Sequence, residues 1–162
     1  MTAKISADVV NAFVDPVVDV LRTFVGIEAH PSQVAMIDHL DPPPMMVCSV
    51  ELNGSLAGPV TWVFTEEMVE LFASRLIAGE AMEALAGATR LDAVAEFANI
   101  FLGNATGRLS DVGYAVQMQP PKIHGPLPED RALPGRELAV WLDSSIGRMK
   151  LIIGVRVTEE QS

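Results

Sequence analysis

One stretch of the sequence combines polar side chains with bare backbone. In DAVAEFANIFLGNATGRL, residues 92–109, Glu96, Asn99, Gly103 and Gly107 follow one another at spacings of three, four and four. In an α-helix these spacings place all four residues on one flank. The flank would offer a carboxylate, an amide and two gaps through which another backbone or a ligand can approach closely. Chemistry on such a flank would use few groups of this chain and take the others from a partner.

The glycines and the polar pair also have simpler explanations. A glycine weakens a helix interior by ~1 kcal/mol relative to alanine, so two of them need a reason. Gly103 and Gly107 could relieve crowding against a neighbouring helix, or the helix could end near Gly103. Glu96 and Asn99 could belong to an ordinary solvated helix face.

Apolar residues at steps of three and four predict that this stretch is an α-helix with one buried face. Thr89 followed by Asp92 is a variant of the capping box and predicts where the helix begins. The residues of the predicted buried face are Leu91, Val94, Ala95, Ala98, Phe101, Leu102, Ala105 and Leu109.

Two other amphipathic stretches predict helices. The first begins at a Ser6 cap and ends at Gly26. At Pro16 either the helix kinks or a second helix begins with Asp15 as its cap, and we favour one continuous kinked helix. The second begins at Thr65-Glu66-Glu67, where a hydroxyl cap precedes two acids, and closes at Gly79. Residues 80–86 predict a short helical turn.

The rest of the chain predicts strands joined mainly by hairpins. Asn53-Gly54 between two apolar runs is a strong hairpin signal. The mixed polarity of residues 27–44, which end in three prolines, predicts an extended connector, and residues 126–136 predict a loop. The predicted strands are 45–52, 56–64, 114–119, 123–127, 138–142 and 148–157. We therefore expect an α+β fold, a mostly antiparallel sheet with two long helices packed on one face.

Size and charge limit the classes of function. The 162 residues, 49% hydrophobic and 20% charged, fit a single domain over residues 1–162. A formal net charge of −10 argues against a nucleic-acid surface or an anionic membrane surface as partner. The single cysteine, Cys48, excludes an internal disulfide and is interpreted as a small core residue. Without a signal segment or an apolar run of ~18 residues, we expect a soluble cytoplasmic protein.

Common enzyme motifs are absent from the sequence. It contains no glycine-rich phosphate loop, no G-x-S-x-G elbow, and neither C-x-x-C nor H-E-x-x-H. His30, His39 and His124 are far apart, so no metal site is expected.

The residues of the 92–109 stretch resemble the signature helix of the CheC/CheX/FliY phosphatases of bacterial chemotaxis, E-x-x-N followed by a glycine. Glu96, Asn99 and Gly103 fill these positions. NAFV at residues 11–14, LIAGE at residues 76–80 and Pro120-Pro121 also resemble CheX-type members. The resemblance covers roughly residues 8–155.

The resemblance implies a phosphatase that removes phosphate from the aspartyl-phosphate of a CheY-type response regulator. It implies that Asn99 orients the attacking water and that Glu96 pairs with the regulator's active-site lysine. Asp92, Gly103 and Gly107 would contact the regulator. No cofactor is expected on this chain, because the regulator supplies Mg²⁺ and the phosphoryl group.

The resemblance has departures and leaves an alternative. Asp8-x-x-Asn11 is a shortened echo of the motif, and we interpret it as structural because an aspartate is one methylene short. The chain has a single copy of the motif, in which it is similar to CheX. That resemblance also implies a homodimer, and the apolar run 151–157 could supply an unpaired sheet edge for the dimer. The alternative is a non-catalytic module that binds a regulator or a chemotaxis or flagellar assembly.

Overall fold

The computed structural model describes residues 5–40, 46–79, 90–124 and 131–158. Over these residues the chain forms three α-helices, one π-helical turn and eight strands. In chain order they are α1 (Ala7–Val20), the π-helical turn (Leu21–Val25), β1 (Ala29–Leu40), β2 (Met46–Gly54), β3 (Leu56–Phe64), α2 (Glu66–Gly79), α3 (Arg90–Asp111), β4 (Val116–Met118), β5 (Lys122–His124), β6 (Arg131–Ser144), β7 (Gly147–Ile153) and β8 (Arg156–Val157).

All described strands belong to one antiparallel arrangement. The order across the sheet is β1-β6-β7-β3-β2-β4, with β5 also pairing β2 and β8 pairing β3. Each of these pairings is antiparallel. The predicted α+β class is confirmed.

The helices cover one face of the sheet. One hydrophobic core joins α1, α2 and α3 to alternate residues of β2, β3, β6 and β7. Cys48 lies fully buried in this core, and burial raises the pKa of its thiol to about 12. It is therefore protonated at neutral pH, as expected of a core residue. The largest fully buried side chains include Trp62, Phe13, Phe64, Phe72, Phe97 and Phe101.

Local sequence signals account for the ends of α1 and α2. The Ser6 hydroxyl accepts a hydrogen bond from the Val9 amide at 3.3 Å, and Thr65 Oγ1 accepts one from the Met68 amide at 3.1 Å. α1 continues through Pro16 into the π-helical turn, and Gly26, with φ +77°, ends this element as predicted. The π-helical turn itself was not predicted.

Two predicted irregular segments are strands in the structure. The prediction that residues 27–44 form a connector was wrong for Ala29–Leu40, which is β1 and pairs with β6. The loop predicted at residues 126–136 was wrong for residues 131–136, which belong to β6. β1 lies at the sheet edge and many of its side chains are exposed, so its sequence lacks a strand's apolar alternation.

The β2–β3 hairpin is confirmed, but its turn differs from the predicted tight Asn-Gly turn. Asn53 and Gly54 extend β2 and pair with β4, so Leu52 and Gly58 are the last partners across the hairpin. The predicted hairpin of β6 and β7 is also present. The helical turn expected at residues 80–86 and the cap at Thr89 lie outside the described residues.

Candidate functional site

α3 is a 22-residue helix that runs without a break through both of its exposed glycines. The helix therefore does not end near Gly103. Its buried face differs slightly from the predicted one, because Ala93 and Phe97 are also buried and Ala95 is only half-buried.

Aromatic contacts set the rotation of α3 about its axis. Phe97 stacks on Phe72 of α2, with ring centroids 4.4 Å apart. One turn later, the Phe101 ring lies 6.1 Å from Trp62 and 6.5 Å from Phe64, both on β3. With these two rings held in the core, residues on the other side of the helix must face outward.

Glu96 and Asn99 lie on this outward side, and both are exposed. Within the part of the chain that the structure describes, neither side chain has a hydrogen-bond or ion-pair partner. Asp92, at the start of the same flank, is exposed as well. The carboxylate and the carboxamide are one helical turn apart and accessible to a partner.

The backbone at Gly103 and Gly107 is open. A Cβ added at either glycine would have nothing within 4 Å among the described residues. Crowding against a neighbouring helix therefore does not explain them. We call Gly103 and Gly107 the glycine stripe.

Two polar side chains next to the glycine stripe bond to the backbone of α3. Asn104 Nδ2 donates to the Ile100 carbonyl at 3.0 Å, and the Thr106 hydroxyl lies 3.0 Å from the carbonyls of Leu102 and Gly103. Both glycines are themselves exposed.

α1 repeats the spacing of the α3 flank with different residues. Asp8, Asn11, Asp15 and Asp19 follow at three, four and four, and the last two stand where α3 has its glycines. Asp8 and Asn11 are exposed. The two later acids contact Arg108 of α3, at 3.6 Å from Asp15 and 2.7 Å from Asp19. The α1 flank thus carries side chains where the α3 flank is bare.

Within residues 5–40, 46–79, 90–124 and 131–158, no group of three or more His, Cys, Asp or Glu side chains could hold a metal ion. No described helix is both long and apolar enough to cross a membrane. What α3 offers is an exposed acid, an exposed amide and a surface that another backbone can approach.

Comparison with known proteins identifies the family. The model of the family described as "Chemotaxis phosphatase CheX" matches residues 46–142, more than half of the chain. The chain belongs to the CheX family of chemotaxis phosphatases. The resemblance seen in the sequence is thereby confirmed.

Relatives extend this match. The chain is 25% identical to CheY-P phosphatase CheX of Thermotoga maritima over 117 residues. This aligned region is 72% of this chain and 75% of that protein. Its fold is similar to that of chemotaxis protein CheX from Vibrio vulnificus, with a TM-score of 0.74, 20% identity and coverage of 94% and 100% of the two chains. It is also similar to CheX in the CheX-CheY-BeF3-Mg²⁺ complex of Borrelia burgdorferi, with a TM-score of 0.67, 18% identity and coverage of 93% and 99%.

Sequence reasoning missed the contact of Arg108 with α1. Asp15 and Asp19 are four residues apart, so they share a face of α1, and this was the available signal. Which helix packs beside that face, and with which cation, depends on the tertiary structure.

Proposed function

We propose that this protein hydrolyses the aspartyl-phosphate of a CheY-type response regulator. The single observation that carries the proposal is the pair Glu96 and Asn99, one turn apart on α3 beside the open glycine stripe, both exposed and, among the described residues, without hydrogen-bond or ion-pair partners. The names of the Thermotoga relative and of the Borrelia complex support the same partner and reaction.

Asn99 would orient the attacking water. A carboxamide can donate a hydrogen bond to the phosphoryl group while it accepts one from water. Phosphoryl transfer depends on positioning and charge stabilisation more than on a covalent nucleophile. Holding a water in line with phosphorus can lower the barrier by several kcal/mol.

Glu96 would fix the docking angle by pairing with the active-site lysine of the regulator. Asp92, Gly103 and Gly107 lie on the same flank and would contact the regulator surface, with the glycines allowing backbone to approach backbone. The regulator supplies the phosphoryl group and its Mg²⁺, so the catalytic centre is complete only in the complex.

We further propose that two copies of the chain form a dimer through β1. The run 151–157 does not provide the edge expected from the sequence, because β7 is paired on both sides, by β6 and β3. β1 ends the sheet and, among the described residues, pairs with β6 alone. Its Val34 and Met36 are 57% and 47% exposed. An unpaired edge with exposed apolar side chains favours pairing with a second copy.

Dephosphorylation of CheY-type regulators tests the proposed activity. With regulator phosphorylated by acetyl phosphate in the presence of Mg²⁺, the chain should accelerate phosphate loss. Asn99→Ala should lower kcat by about 100-fold or more, because one positioned hydrogen-bonding group is lost, with little change in affinity. Glu96→Ala should raise KM by about tenfold through loss of a charge-assisted contact.

Asn104→Ala is the matched control, since it removes an exposed asparagine of α3 whose hydrogen bond, among the described residues, is to the backbone of its own helix. It should retain wild-type kinetics. Wild-type protein that binds the regulator without shortening its phosphate lifetime would instead indicate a non-catalytic binding module. Binding to no CheY-type regulator would contradict both functions.

A further inference from the structure

Arg108 joins the two exposed helix flanks. Its Nη2 lies 2.7 Å from Asp19 Oδ2, and its Nη1 lies 3.6 Å from Asp15 Oδ2. In the described part of the chain, these are the ion pairs that link α3 to α1. We call Arg108, Asp15 and Asp19 the clasp.

Folding does not explain the clasp well. The three side chains are 41%, 52% and 49% exposed, and ion pairs with this exposure contribute little to the free energy of unfolding. α1 and α3 already share a continuous apolar core without it. Its removal should therefore leave the fold intact.

The position of the clasp connects it to the docking surface. Arg108 directly follows Gly107, at the far end of the glycine stripe from Asn99. Arg108 comes nine positions after Asn99, about 14 Å along the helix axis, so Arg108 cannot act on the water that Asn99 would hold. It can affect how closely a partner approaches the stripe.

The charges point in the same direction. Arg108 offsets the charges of two carboxylates on α1, the helix packed beside α3. Without it, both would stand uncompensated on α1, next to the helix that a regulator with a negatively charged phosphorylated site would approach. Like charges brought together during docking lower affinity and alter partner choice.

We propose that Arg108 is a positioning residue for regulator docking. It neutralises Asp15 and Asp19, so that the surface of α1 next to α3 does not repel the regulator. This inference rests on the proposed function for its partner, but it concerns affinity and not the chemical step.

The test measures two quantities separately. The first is the Kd for a CheY-type regulator activated with beryllofluoride and Mg²⁺, and the second is kcat for phosphate loss. Arg108→Ala should raise Kd about fivefold and leave kcat within about twofold of wild type. Arg108→Lys should recover part of the affinity because it keeps the charge.

A double-mutant cycle separates positioning from direct contact. If Arg108 acts through Asp19, the variant with both Arg108→Ala and Asp19→Ala should bind no more weakly than Arg108→Ala alone. Arg148→Ala is the matched control. It removes an arginine of similar exposure that pairs with Asp143 at the same 2.7 Å in the β6–β7 hairpin, and its Kd should match wild type.

Three results would overturn the proposal: an unchanged Kd for Arg108→Ala, single-variant effects on Kd that multiply in the double variant, or a kcat that falls as much as affinity. A wild-type protein that binds without hydrolysis, but whose Kd responds as described, would disprove the phosphatase and retain the clasp. No regulator binding by wild type would overturn both.

Discussion

Gly103 lies in the interior of α3 with open space where a Cβ would be. Nothing in the described packing requires a glycine there, yet glycine weakens a helix interior by ~1 kcal/mol relative to alanine. The same residue leaves the backbone exposed one turn beyond Asn99. We interpret Gly103 as a residue that serves close approach of a partner, because folding alone would not favour a glycine there.

Gly103→Ala should therefore stabilise the protein and impair docking. The free energy of unfolding should rise by about 0.5–1 kcal/mol, because alanine is the better helix former and its methyl group meets no atom of the described chain. The Kd for activated regulator should rise, because the methyl group keeps the two backbones apart. Urea unfolding and calorimetric titration would measure the two effects.

Ser74→Ala on α2 is the control for this variant, since Ser74 is exposed on a helix outside the proposed docking flank. It should raise stability by a few tenths of a kcal/mol and leave regulator affinity unchanged. An unaltered affinity in Gly103→Ala would show that the stripe is not a docking surface.

At the scale of elements, β6 carries a buried acid beside the end of β7. Glu137 is only 7% exposed, and its carboxyl group lies over Gly154, where an added Cβ would come within 2.7 Å of it. Burial, and secondarily the charge of Glu51, raise the pKa of Glu137 above its ordinary value. The backbone gap at Gly154 thus accommodates a carboxyl group whose charged form is less favourable in the folded sheet than in water.

This arrangement predicts a pH-dependent stability. Because the folded-state pKa of Glu137 is raised, its contribution is fully present below the unfolded pKa and is lost as pH rises through the folded pKa. Glu137→Gln should therefore raise the free energy of unfolding at pH 7 and flatten its decline above pH 5. Denaturant unfolding between pH 4 and pH 8 would measure both.

Glu51→Gln provides a comparison for this variant. It removes only the repelling charge, so the gain in stability at pH 7 should be smaller and of the same sign. Equal destabilisation by Glu137→Gln at every pH would contradict this prediction. It would indicate that the carboxyl group makes a stabilising hydrogen bond, and that its burial does not destabilise the folded protein.

At the scale of the whole molecule, the apolar face of the sheet extends past the helices to the β1 edge. Val34 lies opposite the buried Val140, and Met36 lies opposite Leu138. Partners in an antiparallel pair point to the same face, so these two exposed side chains continue the core face outward. A second copy aligned along β1 would pair the edge and cover them.

We expect a dimer by light scattering at micromolar concentration. Val34→Lys should shift it towards monomer, because a charge on an edge strand opposes strand pairing. Val112→Lys adds the same charge at an exposed apolar residue beyond α3 and should leave the mass unchanged. A wild-type monomer would contradict the β1 dimer.

Local patterns in the sequence determined much of this protein. The apolar spacing of residues 92–109 determined a helix with Glu96 and Asn99 facing outward, since a helix has a fixed period. Ser6 and Thr65 determined helix starts because their hydroxyls satisfy nearby amides. The order of these motifs also indicated the family.

Only the tertiary structure decided the remaining features, because they depend on residues far apart in the chain. β1 is a strand because β6 pairs with it across about a hundred residues, while its own composition favours a connector. The space around Gly103 and the contacts of Arg108 depend on where α1 packs. The residue pattern of one segment carries no information about which distant atoms pack around that segment. The space left around α3 by this packing limits what could dock on it.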